Sequence, residues 1–165
     1  MRKLILVAHT SLNGFVAGQK GELDGVETCE ENLEFVSSLT GEADVALFGR
    51  VSYQLLDSYW PTARDRANTS RSEIKYSNWY SSAVKIVLSK TMTEVSSNNT
   101  TIVSGNIANK IIRIKEKEGK DILIFGSPAT NQSVIQLDLV DSYWIFINPV
   151  IFNQAIPLFT GLKEK

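Results

Sequence analysis

At 165 residues the chain has the length of one compact domain of the usual roughly 100 to 200 residues. Its 43% hydrophobic and 21% charged content excludes disordered, collagen-like and coiled-coil classes and leaves enough apolar side chains for a sizeable core. With 17 basic against 18 acidic residues the net charge is -1, which supplies no field for holding a polyanion, so nucleic acid is not an expected partner.

In chain order, the run Leu4–Ala8 lacks polar alternation, the pattern of a strand covered on both faces inside a parallel sheet. Gly14, Gly18 and Gly21 make 10–22 a long glycine-bearing loop, and loops that follow central strands line sites. Thr28 with Glu31 forms a capping box for a helix striped by Leu33, Val36 and Leu39 and stopped at Gly41. Val45–Phe48 is a second buried strand, broken by Gly49 and followed by a helix through Val51, Leu55 and Tyr59 toward Trp60-Pro61. The polar stretch that follows carries a second capping box, Ser70 with Glu73, ahead of a short helix on Ile74, Tyr76, Trp79 and Tyr80. Strands are predicted at Val84–Leu88 and Thr101–Val103, then a helix with Ile107, Ile111 and Ile114 on its apolar face.

Ile122–Phe125 is a further apolar strand, after which Gly126-Ser127-Pro128 restarts the chain as a helix with Ser127 as cap and Pro128 in the first turn. Tyr143–Val150 and a short piece at Leu158-Phe159 close the chain as strands. No helix separates them, so an antiparallel hairpin at one sheet edge is expected. The alternation of strands and helices, without a linker, predicts a single three-layer α/β domain over 1–165 with a mostly parallel central sheet.

A lone Cys29 and a lone His9 rule out a disulfide framework and leave too few ligands for a transition-metal centre, so no metal site is expected. The apolar run at Leu4–Ala8 is too short for a secretion signal or a membrane span, so a cytoplasmic protein without membrane association is expected.

The sequence strand, glycine, helix occurs twice, at Phe48-Gly49-Arg50-Val51-Ser52-Tyr53 and at Phe125-Gly126-Ser127-Pro128-Ala129-Thr130. Each places a helix N-terminus at a strand end, where unpaired N–H groups and the helix dipole favour an anion by about 0.3–1 kcal/mol per charge. Arg50 adds a cation at the first. Leu88-Ser89-Lys90-Thr91 leaves a third strand with two hydroxyls around a lysine, a cradle for a terminal phosphate. Together these turns point to a ligand with several phosphates. His9, at the end of the first strand, has a titration range suited to proton transfer, although a structural hydrogen bond is the plainer role. Tyr53, Tyr59 and Trp60 either wall a pocket or pack the core. On the late strand Trp144 and Phe146 share one face and Tyr143, Ile145 and Ile147 the other, so burial on both sides, against a second subunit, is expected.

These turns, with Thr10-Ser11-Leu12-Asn13-Gly14-Phe15-Val16-Ala17, Leu139-Val140-Asp141, Asn148-Pro149-Val150 and Pro157-Leu158-Phe159, resemble the dihydrofolate reductase superfamily nearly end to end. The likeness is strongest to small bacterial proteins related to the reductase domain of riboflavin biosynthesis. The resemblance implies a dihydrofolate reductase-like fold that binds NADPH. It places Gly49, Arg50, Ser52, Gly126 and Ser127 around the pyrophosphate and Ser89, Lys90 and Thr91 at the adenosine 2'-phosphate. Ala8, Phe15, Pro128, Ala129 and Thr130 are further cofactor-binding positions, and Asn13, Tyr53 and Trp60 fall to the substrate.

The implied activity is hydride transfer from NADPH to a small heteroaromatic substrate, pterin- or folate-like or ribosyl-pyrimidine-like, in a homodimer joined through the C-terminal strands. Three positions depart from the family pattern, one of them Asp141-Ser142, which lacks the glutamate often found after that aspartate. Asn13 stands where the Ser-Leu-Asp-Gly segment has its acid, and an amide orients without exchanging a proton, which equally fits a nucleotide-binding module of the same fold without turnover. Phe152-Asn153-Gln154-Ala155 replaces a glycine-rich turn, with Asn153 able to adopt left-handed backbone.

Overall fold

The computed structural model describes residues 1–22 and 29–162. Its elements are β1 (Leu4–Ser11), β2 (Phe15–Gly18), α1 (Glu30–Leu39), β3 (Ala43–Gly49), α2 (Arg50–Asp57), α3 (Trp60–Ala63) and α4 (Arg71–Ser82). They continue with β4 (Val84–Leu88), β5 (Thr100–Val103), α5 (Ile107–Glu116), β6 (Asp121–Ile124), α6 (Pro128–Gln136), β7 (Ser142–Asn148) and β8 (Ala155–Pro157). Six strands form one sheet in the order β5-β4-β3-β6-β1-β7, and every pairing in it is parallel. The unbroken apolar runs of β1, β3 and β6 follow from this arrangement, because a parallel sheet is covered by helices on both faces.

On one face Leu4, Leu6, Leu47, Ile86 and Ile124 pack with Ile111 of α5 and Val134 of α6. On the other, Val7, Phe48, Val87 and Leu123 pack with Tyr53 of α2 and with Tyr76, Trp79 and Tyr80 of α4, while Leu33 and Val36 of α1 lie against that cluster. Adjacent residues of one strand thus serve opposite layers. The Ser70 capping box is present: Glu73 N donates to Ser70 Oγ at 3.2 Å and Ser70 N to Glu73 Oε2 at 2.8 Å. Thr28, the other expected cap, lies outside the described residues. Among the described residues no helix is long and apolar enough to cross a membrane.

Four expectations are corrected. The strand Tyr143–Val150 is not antiparallel: β7 (Ser142–Asn148) runs parallel to β1 at the sheet edge, from Ile5 opposite Ser142 to Ser11 opposite Asn148. The cause is α6, which serves as the crossover from β6, so β7 arrives in the same direction as its neighbours. Nor do the last two strands form a hairpin. The chain beyond β7 carries β8 across to β2, and these make the antiparallel pair, with Phe15 opposite Pro157 and Gly18 opposite Ala155. Part of the expected loop after β1 is therefore strand. The helix expected to run to Trp60 ends at Asp57, and Trp60-Pro61 opens a separate turn of helix.

The entrance to β7 is fixed to the start of β1 by one carboxylate. Asp141 Oδ2 accepts from Leu4 N at 2.7 Å and from the Lys115 Nζ at 2.7 Å, and Lys115, 7% exposed, also donates to Leu139 O at 3.2 Å. Removing the carboxylate strands a buried ammonium, whereas removing the ammonium leaves a half-exposed acid that water can solvate. Asp141→Ala is therefore expected to cost about 2 kcal/mol, below the usual 3–5 for a fully buried pair, and Lys115→Met less than half of that. Urea denaturation of the two variants checks the order.

Candidate functional site

β3 and β6 are neighbours, yet α2 leaves β3 toward one face and α6 leaves β6 toward the other. Such a divergence opens a crevice at the carboxyl ends of the strands, the usual ligand position in open α/β sheets. The two turns meet backbone to backbone: Gly49 N donates to Gly126 O at 2.6 Å. A Cβ on Gly49 would collide with Thr130 Oγ1 and stand 2.6 Å from Ser127 Oγ and 3.0 Å from Ser127 N, so this close approach requires glycine. Gly126 has φ +97, joins Ser127 through a cis peptide bond, and faces Ser52, whose Oγ lies 3.5 Å from where a Cβ would be. Gly49, Ser52, Gly126, Ser127 and Thr130, selected on two separate motifs, therefore form one cradle.

Pro128 occupies the first position of α6 as expected, and Ser127 is its N-cap, although the Ser127 hydroxyl caps nothing and lies 3.4 Å from Thr130 Oγ1. The backbone N–H groups of Ala129 and Thr130 in this first turn have no intrahelical partner by construction. Arg50 opens α2 and is exposed, its Nη1 donating to Gln54 Oε1 at 3.2 Å, so its charge remains available at the mouth of the crevice. Asn131 is not among the site positions read from the sequence, where it stands out only as one of four Asn-x-Ser/Thr triplets. It is 4% exposed, and its Oδ1 is a buried acceptor without a partner. The signal was present: Asn131 shares a helical stripe with Val134 and Ile135, so an amide occupies a core-facing position.

Next to the cradle, a cavity of about 180 Å³ is lined by Leu88, Ser89, Lys90, Val103, Ser104 and Ile107 on one side and Ala129, Thr130 and Ser133 on the other. The predicted phosphate lysine thus shares one slot with Ala129 and Thr130 in the first turn of α6. Its size suits one end of an extended ligand rather than the whole of one. Ser89 Oγ accepts from Thr91 N at 3.2 Å and Met92 N at 3.0 Å, which folds the turn around Lys90 and leaves the hydroxyl hydrogen free to donate. Thr91 is exposed and lies outside the slot's lining. A larger cavity of about 410 Å³ opens at the opposite, amino end of the sheet around Asp44, Trp79 and Lys120. Its polar groups are already engaged, Asp44 with Arg2 and Lys120 with Gly41 O, and it lies away from every predicted site residue.

The positions expected at the substrate divide. Ala8 is buried in β1, and extending the register Leu6–Ile124 by two residues sets it level with Gly126. Phe15 is half-buried on β2 opposite Pro157. Trp60 is half-buried against Tyr59 and Tyr76, at ring distances of 5.0 and 4.3 Å. Tyr53 is not in a pocket: it is 2% exposed, packs on Phe48, and spends its hydroxyl on Ser96 Oγ at 2.7 Å. Asn13 is exposed, and both ends of its amide are engaged. Nδ2 donates to Phe152 O at 2.7 Å, while Oδ1 accepts from Ser11 Oγ at 2.8 Å and Phe152 N at 3.2 Å. Asn153 does not take left-handed backbone; the turn is tied from outside by Asn13.

A six-stranded parallel sheet whose glycine turns meet at the β3–β6 switch is a reductase-type α/β fold of the dihydrofolate reductase class. The sequence matches the RibD C-terminal domain across residues 2–164, and the chain belongs to that family. It is 30% identical over 164 residues to the uncharacterized protein YyaP of Bacillus subtilis (strain 168), covering 99% of this chain and 84% of that one. Among solved structures, a Shewanella sp. PV-4 protein named for riboflavin biosynthesis superposes with TM-score 0.71 at 26% identity, covering 99% of this chain and 86% of that one. Dihydrofolate reductase from Enterococcus faecalis, complexed with NADP(H), superposes with TM-score 0.60 at 12% identity, covering 94% and 76% of the two chains, a likeness of fold.

Because Asn13 donates to a backbone carbonyl, an aspartate there would replace a hydrogen bond by an anion facing an oxygen. Asn13→Asp is expected to lower stability by about 1–2 kcal/mol and to speed proteolytic cleavage within 149–154, with Asn13→Ala falling between it and the parent. Equal denaturation midpoints for the three proteins would remove the tie.

Proposed function

We propose that the protein is an NADPH-dependent reductase that delivers hydride to a small heteroaromatic substrate, pterin-like or ribosyl-pyrimidine-like, as a single domain acting in the cytoplasm. The observation that carries the reading is the meeting of Gly49, Ser52 and Gly126–Thr130 with the Ser89–Lys90 slot at one end of the sheet. The cradle fits a dinucleotide on its own terms: a glycine whose missing Cβ leaves room for backbone approach, free N–H groups opening α6, and a buried acceptor, Asn131 Oδ1, with no protein partner. NADPH, when bound, supplies the hydride. The protein's part is to grip both ends of it. Ser52, Ser127 and the first turn of α6 would hold the pyrophosphate with Arg50 outside, Ser89 and Lys90 the 2'-phosphate, and Ala8 the neighbourhood of the reactive ring.

A charged hydrogen bond is worth about 1.5–3 kcal/mol, or roughly tenfold to over a hundredfold in affinity. The parent protein is therefore expected to prefer NADPH to NADH by at least tenfold in fluorescence titrations, and Lys90→Ala to erase most of that preference while binding NADH as before. Equal affinities in the parent would refute the assignment.

The functional unit we propose is a homodimer through the C-terminal strands. β7 is a sheet edge, and along it Tyr143, Trp144 and Ile147 are 42, 44 and 66% exposed. An apolar edge with unpaired ladder groups is a liability unless covered, and a second copy of the same edge covers it symmetrically. Sedimentation should show a dimer for the parent and a monomer for Ile147→Lys. A monomeric parent would overturn this part.

A further inference from the structure

Asn13-Gly14 is the one Asn-Gly pair in the sequence, and it lies on the exposed connection between β1 and β2. Asparagine ahead of glycine carries a reaction of its own. The backbone nitrogen of the following residue attacks the side-chain carbonyl carbon, and glycine, with no Cβ to crowd the approach, obstructs it least. At Gly14, with φ +83, a Cβ would meet nothing within 4 Å, so no neighbouring element fills the space beside the pair. Every other asparagine of the chain precedes a larger residue.

The folded chain holds both reacting groups back. Asn13 Nδ2 donates to Phe152 O at 2.7 Å, and Oδ1 accepts from Ser11 Oγ at 2.8 Å and from Phe152 N at 3.2 Å, so the carboxamide is fixed on the 149–154 turn. The nucleophile is engaged as well, since Gly14 N donates to Ser11 O at 3.1 Å. Cyclisation requires the carboxamide to leave Phe152 and swing its carbon onto Gly14 N. That motion is open only to a chain in which this loop has locally opened.

We propose that Asn13-Gly14 is a self-modification site, deamidating through a succinimide at a rate gated by the Asn13–Phe152 hydrogen bonds, and that the product leaves the 149–154 turn permanently untied. Gly14 N bonds to Asn13 Cγ, and Nδ2 departs as ammonia with the Gly14 amide proton. Water then opens the cyclic imide at either carbonyl, giving an aspartyl or an isoaspartyl residue. Water enters, ammonia leaves, and nothing is oxidised or reduced. Neither product closes the old ring, because a carboxylate has no donor for the Phe152 carbonyl. The aspartyl product also spells the Ser-Leu-Asp-Gly segment of the resemblance, beginning at Ser11. The inference stands on the loop alone and holds whatever ligand the crevice takes.

The test follows oxygen from water. Folded and urea-unfolded protein are incubated in water labelled with heavy oxygen and digested in ordinary water, and the tryptic peptide Leu4–Lys20, in which Asn13 is the only asparagine, is read by mass spectrometry. Label is expected at residue 13 of the folded protein ahead of every other asparagine, and at least about tenfold more slowly than in the unfolded chain, the factor that two net hydrogen bonds supply. Across low urea concentrations the labelling rate should follow hydrogen exchange of the Phe152 amide, which the same opening exposes. The labelled species, separated by its added negative charge, should be cut by chymotrypsin at Phe152 faster than the parent. Gly14→Asp, a residue that tolerates left-handed backbone and whose Cβ meets open space, should fold and lose most of the labelling. A folded protein without label at residue 13 once the unfolded chain is converted overturns the proposal. So does folded labelling less than tenfold slower than unfolded or independent of Phe152 exchange, parental labelling in Gly14→Asp, or an acidic species as resistant to chymotrypsin as the parent.

Discussion

The carboxyl ends of β3 and β6 approach until the amide of Gly49 donates to the carbonyl of Gly126 at 2.6 Å, and much of the site's geometry depends on that contact. At Gly49 a Cβ would collide with Thr130 and Ser127, and at Gly126 the backbone takes φ +97, so each position calls for glycine for a different reason. The chain turns into α2 on one face directly after Gly49 and into α6 on the other after three residues, which brings two helix N-termini to the same end of the sheet. Ser52 and Thr130 are brought to this end by being on the first turns of those helices.

A second constraint works from the far end of α2. Asp57, its last residue, accepts hydrogen bonds from Tyr80 OH at 3.2 Å and from Ser96, and Ser96 is also paired with Tyr53 OH at 2.7 Å. Burial and the adjacent Asp57 carboxylate push the Tyr80 phenol well up, so it remains a donor throughout the physiological range. Ser96 lies in the segment between β4 and β5 that begins with Ser89 and Lys90. The network therefore fixes the helix that presents Arg50 and Ser52 to the loop that presents Lys90. Tyr53 belongs to this scaffold, and its effect on a ligand is through the position of that loop.

The sequence carried the parallel layers well because their signal is local. A strand buried on both faces reads as an unbroken apolar run, as at Leu4–Ala8, Val45–Phe48 and Ile122–Phe125, and Ser70 with Glu73 marks a helix start from four residues alone. The glycine turns were legible for the same reason. What failed was non-local. The direction of β7 depends on which strand it joins, and nothing between 142 and 148 encodes that its neighbour is β1 rather than β8. β2 is four residues containing a glycine, too short and too weakly patterned to be seen without its partner β8. Tyr53 looked like a pocket wall because an aromatic on a helix after a site turn has the same spacing whether it faces ligand or core; its 2% exposure decides for the core.

Two of the departures from the family pattern, at Asn13 and at 152–155, reduce to one piece of geometry. Read along the chain, an amide at position 13 suggests a lost proton carrier, and Phe152-Asn153-Gln154-Ala155 suggests a turn deprived of glycine. In space they touch: Asn13 closes a ring of hydrogen bonds with both the N–H and the C=O of Phe152, at 3.2 and 2.7 Å. Only a side chain with a donor and an acceptor on the same plane can do this, and a carboxylate would meet the Phe152 carbonyl with the wrong charge. The amide is thus the group that a turn without left-handed glycine requires in order to stay docked on the β1–β2 connection. Asn13 accordingly reports on how this loop is held, and its presence gives no preference to a module without turnover over an enzyme whose proton comes from another group.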